Sequence, residues 1–301
     1  MKTAAALIKR NTKLFFKDKG MFFTSLITPM ILLVLYASFL GNVYRDSFTM
    51  NLPQGLALPE KLIEGLVGGQ LVASILAVSC VTVSFCSNFL MVQDKVNGSI
   101  KDLTISPVRS STLAVGYYVA TLCSTLLVCL TAFVICLGYL SFTGWYLSAA
   151  DVLLLLLDVV LLTLFGMALS SLINFFLSTQ GQISAIGTIV SAGYGFISGA
   201  YMPIASFPEQ LQKVLSFLPC TYGTALVKNH AMRGALKALE DDGVPAAAVD
   251  AIRDAVDCNI YFFEESVEIP VMYCIVGGSI VVFIAAYILL HAIRAKKPNR
   301  K

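Results

Sequence analysis

Six long runs of apolar residues constrain this chain more than any other feature of its sequence. About 20 apolar residues cross the hydrocarbon core of a bilayer as one helix, and six segments reach about that length: 21–41, 66–92, 113–140, 149–173, 180–199 and 270–293. None shows the alternation of a membrane β-strand. Only 13% of the 301 residues are charged, against roughly 25% in soluble proteins. The sequence predicts an all-α integral membrane protein, with six transmembrane helices in one domain over 1–301.

Lysine and arginine are concentrated in segments that this topology places on one side. Residues 1–20, the 93–112 loop and the tail after residue 293 hold 14 of the 21 basic residues. An excess of positive charge marks the cytoplasmic side. Residues 200–269 hold ten of the 18 acidic residues, as an outer segment should. We therefore expect a multi-pass protein of the plasma membrane with both termini in the cytoplasm.

Residues 1–20 are predicted to contain a basic amphipathic helix, over about 4–19. One face of it carries Ala4, Leu7, Ile8, Leu14 and Phe15, and the opposite face carries Lys9, Arg10, Lys13 and Lys17. A helix of this kind beside a span lies in the headgroup layer of the anionic cytoplasmic leaflet. A disordered basic tail is the alternative, but the continuous apolar face favours the interfacial helix.

Residues 200–269 form the predicted external segment. Pro208 suits the first turn of a helix that Pro219 ends, and a second helix is expected to begin near Thr221 as its N-cap. These two short apolar helices indicate a re-entrant pair that dips into the outer leaflet, and a pair lying flat on the surface is the alternative. Residues 237–268 are interpreted as a small external cap. His230 is expected to be solvated or interfacial.

Motifs for catalysis or cofactor binding are absent from the sequence. It has no G-x-x-x-x-G-K-[ST] phosphate loop, no visible Ser/His/Asp set and no Cys/His metal spacing. We therefore expect no catalytic residue, metal site or cofactor in this chain.

Cys220 and Cys258 are the two of eight cysteines outside the apolar runs, and the sequence leaves open whether they form a disulfide.

Small residues recur along two of the predicted spans, which lets helices approach closely. Ala73 is the first residue of the stripe in the second span, and Gly199 is the last residue of the stripe in the fifth span. The members that we assign to a substrate pathway, as a hypothesis, are Ala77, Cys80, Ser84 and Ser87 in the second span and Gly187, Ser191 and Gly195 in the fifth. Packing alone is the alternative, and the two interpretations are compatible.

Asp158 is an acidic residue in the middle of the fourth span, seven positions after Asp151 and on the same helix face. A carboxylate inside a membrane is costly and is a functional candidate for that reason. Protonation of Asp158, or a hydrogen bond with Thr163 or with a tyrosine of another span, would equally account for a carboxyl group at this position.

Residues 93–107, QDKVNGSIKDLTISP, are the only substantial connection between spans on the cytoplasmic side. Asp94 suits the start of a helix, near the positive end of its dipole. Ile100 and Leu103 share one face, and Pro107 ends the segment. A short stiff helix between two long ones is suited to docking in a groove of a soluble partner.

The same segment resembles a family pattern. Asp94-Lys95-Val96, Asn97-Gly98-Ser99-Ile100, Leu103, Ser106-Pro107-Val108 and Gly116 are similar to the acidic–GT–LL–SP pattern of type-2 ABC transporter permeases. The order of parts agrees as well: a basic amphipathic helix, six spans and a proline-rich external pair. Two departures are the aspartate at position 94, where glutamate is commoner, and the long 237–268 segment.

The resemblance implies the fold of a type-2 ABC exporter permease, with 93–107 as a coupling helix that contacts a nucleotide-binding ATPase subunit. The coupling residues that it implies are Asp94, Asn97, Gly98, Ile100, Leu103, Ser106 and Pro107. ATP and Mg²⁺ would bind to that partner. A second permease copy, in a homodimer, and membrane lipid are the other expected partners, and no nucleic acid is expected.

The expected function is export of amphipathic small molecules, peptides or lipids, with the second and fifth spans lining the route. Family members mostly export drugs, peptides, lipids or lipid-linked glycans. Export of a lipid-linked glycan is therefore one alternative, and an ion-coupled secondary transporter that uses Asp158 is another.

Overall fold

The computed structural model describes residues 2–17, 19, 31, 34, 38, 41–50, 59–99, 110–263 and 265–296. Ten helices lie in these ranges: α1 (Lys2–Lys17), α2 (Gly41–Met50), α3 (Glu60–Val96), α4 (Ser110–Thr143), α5 (Ala149–Phe176), α6 (Gln180–Ile197), α7 (Glu209–Leu215), α8 (Pro219–Asp241), α9 (Ala246–Ala255) and α10 (Ile269–Lys296). A 3₁₀ turn, Ile204–Ser206, and two antiparallel two-residue strands, β1 (Tyr261–Phe262) and β2 (Glu265–Ser266), complete the described part.

Four of the described helices are long and apolar enough to cross a membrane: Glu60–Val96, Val115–Thr143, Ala149–Phe176 and Ile269–Leu290. The prediction of an all-α membrane protein is confirmed at this level. The predicted fifth span is α6, a helix of 18 residues that begins with the polar sequence Gln180-Gly181-Gln182 and is not among the four. The predicted first span, 21–41, falls almost entirely outside the described residues.

Helix α3 is the centre of the bundle. It has 37 residues, about 55 Å at 1.5 Å per residue, and it packs against α4, α5, α6 and α8. A helix that is apolar on all sides is buried on all sides, and 89% of its most apolar window is buried, against 17% for α10. Gly69 permits the contact with α8, because a Cβ there would lie 2.9 Å from the carbonyl oxygen of Ala231.

Helix α1 confirms the predicted amphipathic helix. Leu7, Asn11 and Phe15 are buried, whereas Lys9, Lys13 and Lys17 are exposed. The buried face packs mainly against α4, where Gly116 leaves room for it: a Cβ at Gly116 would lie 3.1 Å from the Cβ of Leu7.

The external segment differs from its prediction. A first short helix, α7, does follow Pro208, but Pro219 is the first residue of α8 and Leu218 is its N-cap. Thr221 therefore lies inside the first turn, where its hydroxyl donates to the carbonyl of Leu215 at 3.0 Å. Helix α8 is not short: its 23 residues span about 34 Å, and it packs against α3, α5 and α10.

The 237–268 segment, which we interpret from its sequence as a cap and call the cap below, contains the end of α8, helix α9 and the β1–β2 hairpin. The turn after α8 ends at Gly243, whose φ of 85° suits glycine. Pro245 then precedes α9, which buries Val249 and Ile252. The β1–β2 hairpin closes the segment before α10 begins at Ile269.

Candidate functional site

A buried carboxylate joins three helices at one end of the bundle. Asp94, in the last turn of α3, accepts a hydrogen bond from the guanidinium of Arg10 in α1 at 3.2 Å and a short one from the hydroxyl of Tyr117 in α4. Asp94 is 7% exposed. We call these three residues the Asp94 clasp. It anchors the amphipathic helix to the end of α3 from which the predicted coupling segment departs.

Asp94 does not begin a helix, as the sequence suggested, because α3 continues to Val96. Asn97 is the C-cap, and Gly98 adopts a φ of 79°, the left-handed conformation that commonly follows the end of a helix. Asn97 is exposed and Gly98 is partly exposed. The other predicted coupling residues, Ile100, Leu103, Ser106 and Pro107, lie outside the described residues.

The same end of α3 is also fixed to α5. The side-chain amide of Asn88 donates to the hydroxyls of Ser170 and Ser171 at 3.0 and 2.8 Å. About two helical turns later, Lys95 Nζ donates to the carbonyl of Asn174 at 3.4 Å. This end of α3 is therefore hydrogen-bonded to α1, α4 and α5 at once.

A second buried carboxyl group lies between α5, α8 and α10. Asp158 Oδ2 is 2.6 Å from His230 Nδ1, and Asp158 Oδ1 accepts a hydrogen bond from the hydroxyl of Tyr273 at 2.5 Å. The tyrosine of another span that the sequence offered as a partner is thus Tyr273. We call these three residues the Asp158 centre.

The expectation that His230 is solvated or interfacial is wrong, since it is 4% exposed. The middle of α8 has a polar sequence, Lys228-Asn229-His230. This polar sequence hid the fact that α8 is largely buried both before and after it. The absence of proline between Pro219 and Asp241, with Pro219 itself at the first helical position, was the signal that could have revealed a long helix.

A third buried polar group joins the cap to the bundle. Lys228 Nζ lies 3.1 Å from Asp257 Oδ2 and donates to the carbonyl of Gly199 at 2.8 Å. Asp257 also accepts from the backbone N–H of Ile204 at 2.9 Å. We call this set the Lys228–Asp257 clasp. It ties α8 and the cap to the chain that leaves α6, and sequence reasoning did not identify it.

The two small-residue stripes have different surroundings. Residues of the second predicted span, Ala77, Cys80, Ser84 and Ser87, are buried in α3 at 2% exposure or less. Cys80 Sγ lies 3.6 Å from the carbonyl oxygen of Val159, and Ser84 Oγ lies 3.3 Å from that of Thr163, so this stripe packs against α5.

The stripe of α6 is more open than that of α3, although α6 also packs against α3. Ser191 is exposed and Gly187 is partly exposed beside the ring of Phe89. Gly195 is buried against the ring of Tyr201, which leaves no room for a Cβ. The structure thus brings Cys80 and Ser84 against α5 rather than into a shared channel with Ser191.

Several polar groups in α3 are buried without a hydrogen-bond partner among the described residues. They include both amide atoms of Gln70 and the hydroxyls of Ser74, Ser79 and Ser87. An unsatisfied buried polar group costs about 1–3 kcal/mol.

The suggested disulfide between Cys220 and Cys258 is not formed, and both thiols are free and buried. Cys258 lies beside Asn229, whose amide donates to its carbonyl at 2.5 Å. Nine residues, about 13 Å of helix rise, separate Cys220 from Asn229. Disulfides join Cα atoms that are at most about 7 Å apart, so Cys220 is too far from Cys258 to form one.

In the described part of the chain, no three His, Cys, Asp or Glu side chains converge to hold a metal ion. The polar groups of the three sites are paired with one another across helix boundaries. Their arrangement can position helices and transmit movement between them.

Comparison with known families gives one match. The family model for the ABC-2 type transporter matches residues 3–229, about three quarters of the chain, from the start of α1 to the middle of α8. No curated protein matches the chain.

Proposed function

The chain belongs to the ABC-2 type transporter family, which makes it a membrane component of an ABC transporter, and we propose that it exports amphipathic small molecules, peptides or lipids. In this proposal a separate nucleotide-binding subunit binds ATP and Mg²⁺, and two copies of the chain pair in the plasma membrane. Six spans, with α6 as the fifth, and cytoplasmic termini complete the proposed topology.

The Asp94 clasp is the observation that carries the proposal. The predicted coupling segment, 93–107, includes Asp94 and continues beyond the end of α3, so force on that segment would act on the clasp directly. Arg10 and Tyr117 hold the Asp94 carboxylate from two other helices. Movement of a docked ATPase would therefore shift α1, α3 and α4 as one unit rather than bend the loop alone.

Helix α3 would carry this movement across the membrane, because it is continuous from Glu60 to Val96. At its other end, Gly69 contacts α8 near Ala231. The Asp158 centre and the Lys228–Asp257 clasp fix α8 to α5, α10 and the cap. We propose that this chain of contacts moves the outer helices when ATP closes the ATPase pair, with α7 and α8 as the re-entrant pair.

The proposed pathway runs beside α3 and α6. Ser191 and part of Gly187 are accessible in the single chain, so this face of α6 suits a seam between two copies. Ala77, Cys80, Ser84 and Ser87 join the pathway only when α3 and α5 separate. Small side chains with few charges favour an amphipathic cargo over a glycan, which is the second candidate within the family.

An ion-coupled transporter is the remaining alternative. Asp158 would be its ion site, but both of its carboxylate oxygens are bonded to protein groups. This arrangement favours a positioning role for Asp158.

The test is to capture the tagged chain from its native membrane and to measure vanadate-sensitive ATP hydrolysis in the captured complex. Leu103→Glu should remove this activity while the chain stays inserted, because a carboxylate would be driven into an apolar docking groove. Ala247→Glu places the same charge on an exposed residue of α9 and should leave the activity unchanged. If the unmodified chain recruits no ATPase, the proposed function is wrong.

A further inference from the structure

An open cavity of about 790 Å³ lies in the external segment, between α7, the 3₁₀ turn and the β1–β2 hairpin. This volume is within the range of about 300–1,000 Å³ that holds small organic ligands. Its lining combines carboxylates and aromatic rings, notably Glu209, Asp254, Tyr261, Phe262, Phe263 and Glu265. None of the residues that we assign to the transport pathway lines it.

The carboxylates of the cavity are only partly neutralised. Glu209 is paired with Lys213 at 2.6 Å, and Asp257 belongs to the clasp with Lys228. Asp254 has only neutral partners, Asn259 and the hydroxyl of Tyr261, and both donate to its Oδ1 atom.

The carboxylate of Glu265 is exposed and makes no hydrogen bond or ion pair within the described ranges. Among the described residues, Asp254 and Glu265 thus place two negative charges at the cavity without an ion-pair partner, because the lining lysine, Lys213, is paired with Glu209. A positively charged ligand would provide the counter-charge that both carboxylates lack.

Aromatic rings form the apolar side of the same region. The rings of Phe217, Phe262 and Phe263 are mutually edge-to-face, with centroids 5.2, 6.0 and 5.0 Å apart. Phe217 and Phe263 remain 62% and 56% exposed. The face of an aromatic ring attracts an organic cation, by about 0.5–1 kcal/mol at an exposed site.

We propose that this cavity binds an amphipathic organic cation, with a quaternary ammonium group between the carboxylates of Asp254 and Glu265 and its apolar part against the phenylalanine rings. A quaternary ammonium carries its charge without N–H donors, so it needs surrounding carboxylates and ring faces rather than directed acceptors. The cation arrives either as a soluble molecule or as the headgroup of a choline lipid.

The experiment titrates benzyltrimethylammonium into the purified chain in nanodiscs and follows binding by saturation-transfer NMR, with empty nanodiscs as the blank. Its neutral carbon isostere, neopentylbenzene, has the same shape without the charge and should bind at least about fivefold more weakly. Nanodiscs of phosphatidylglycerol alone are compared with nanodiscs that also contain phosphatidylcholine. Weaker binding in the second kind identifies a choline headgroup as the competing occupant, and equal binding identifies a soluble cation.

Two substitutions and one control locate the site. Glu265→Gln and Phe262→Leu should each weaken binding about threefold to fivefold. Asp241→Asn removes an exposed carboxylate that does not line the cavity and should leave affinity unchanged. Equal binding of the isostere, or unchanged binding in both cavity variants, overturns the proposal. The test needs no ATPase and no transport, so its outcome is separate from that of the proposed function.

Discussion

His230 Nδ1 lies 2.6 Å from Asp158 Oδ2, although 72 residues separate the two in sequence. Neither residue is more than 4% exposed. The bond joins α8, which follows the fifth predicted span, to the middle of the fourth. It makes α8 a structural member of the bundle rather than an appendage on its surface.

Replacing His230 by leucine should lower the free energy of unfolding by about 3–5 kcal/mol, because Asp158 stays buried without that partner. Chemical denaturation of the purified protein in detergent measures the loss. Adding Asp158→Asn to the same chain should recover part of the stability, since the buried charge is then gone. A single variant as stable as the original would contradict the structural role of the pair.

Replacing Asp257 by asparagine should destabilise the protein more on its own than together with a neutral residue at Lys228. The φ of Asp257 is 57°, a conformation that asparagine and glycine accept more readily than other residues. Asp257→Asn keeps the backbone geometry and an acceptor for Ile204 but removes the charge opposite Lys228. It should therefore destabilise the protein by about 3 kcal/mol or more.

The double variant Asp257→Asn/Lys228→Met removes both charges and should be more stable than Asp257→Asn alone. Limited proteolysis of the 242–268 region reports whether the cap has been released. If the double variant is cleaved faster than the single one, the ion pair does not hold the cap.

Gly234 in α8 is predicted to tolerate no side chain. A Cβ there would overlap the backbone carbonyl of Tyr146, which cannot swing aside. Gly234→Ala should lower the free energy of unfolding by about 1–3 kcal/mol. Gly138→Ala is the control, because a Cβ placed there would meet no atom of another described segment within 4 Å, and alanine favours a helix by up to about 1 kcal/mol.

Reversing one charge of the Asp94 clasp should release α1 from the bundle. Arg10→Asp places two carboxylates together and removes a charge-assisted hydrogen bond, a type that contributes about 1.5–3 kcal/mol when buried and less at a partly exposed pair such as this one. Faster trypsin cleavage at Lys13 and Lys17 measures the release. The exchanged pair, Arg10→Asp with Asp94→Arg, should slow the cleavage again.

Cys258 should not react with maleimide in the native protein. Burial raises the pKa of its thiol to about 12, so at pH 8 almost none of it is the reactive thiolate. Labelling counted by mass spectrometry should leave Cys258 unmodified until the protein is unfolded in SDS. Equal mobility with and without reductant should confirm that it is not bonded to Cys220.

The long helices could be predicted because their cause is local. Apolar composition sets the ends of α3, α4, α5 and α10 within about six residues of the predicted spans. The capping box between Ser148 and Asp151 fixes one of these ends from the sequence itself. The basic face of α1 was predictable for the same reason.

The partners of the buried polar groups could not be predicted, because they depend on contacts between distant segments. Asp158 was recognisable as unusual, but nothing near it in sequence indicates His230 or Tyr273. Asp94 was assigned to a docking surface, and its burial depends on Tyr117 in the next helix. Lys228 was overlooked, since a lysine usually indicates a solvated surface.

The Asp94 clasp also imposes an order on assembly. Arg10 is synthesised 84 residues before Asp94, which is about 4–17 s at a translation rate of about 5–20 residues per second. During that interval neither Asp94 nor Tyr117 has been made, and the guanidinium of Arg10 can donate to Asn11 in the same helix, a hydrogen bond of 2.8 Å in the folded protein. The clasp therefore cannot fix α1 until α3 and the start of α4 have been made, and until then the apolar face of α1 depends on lipid.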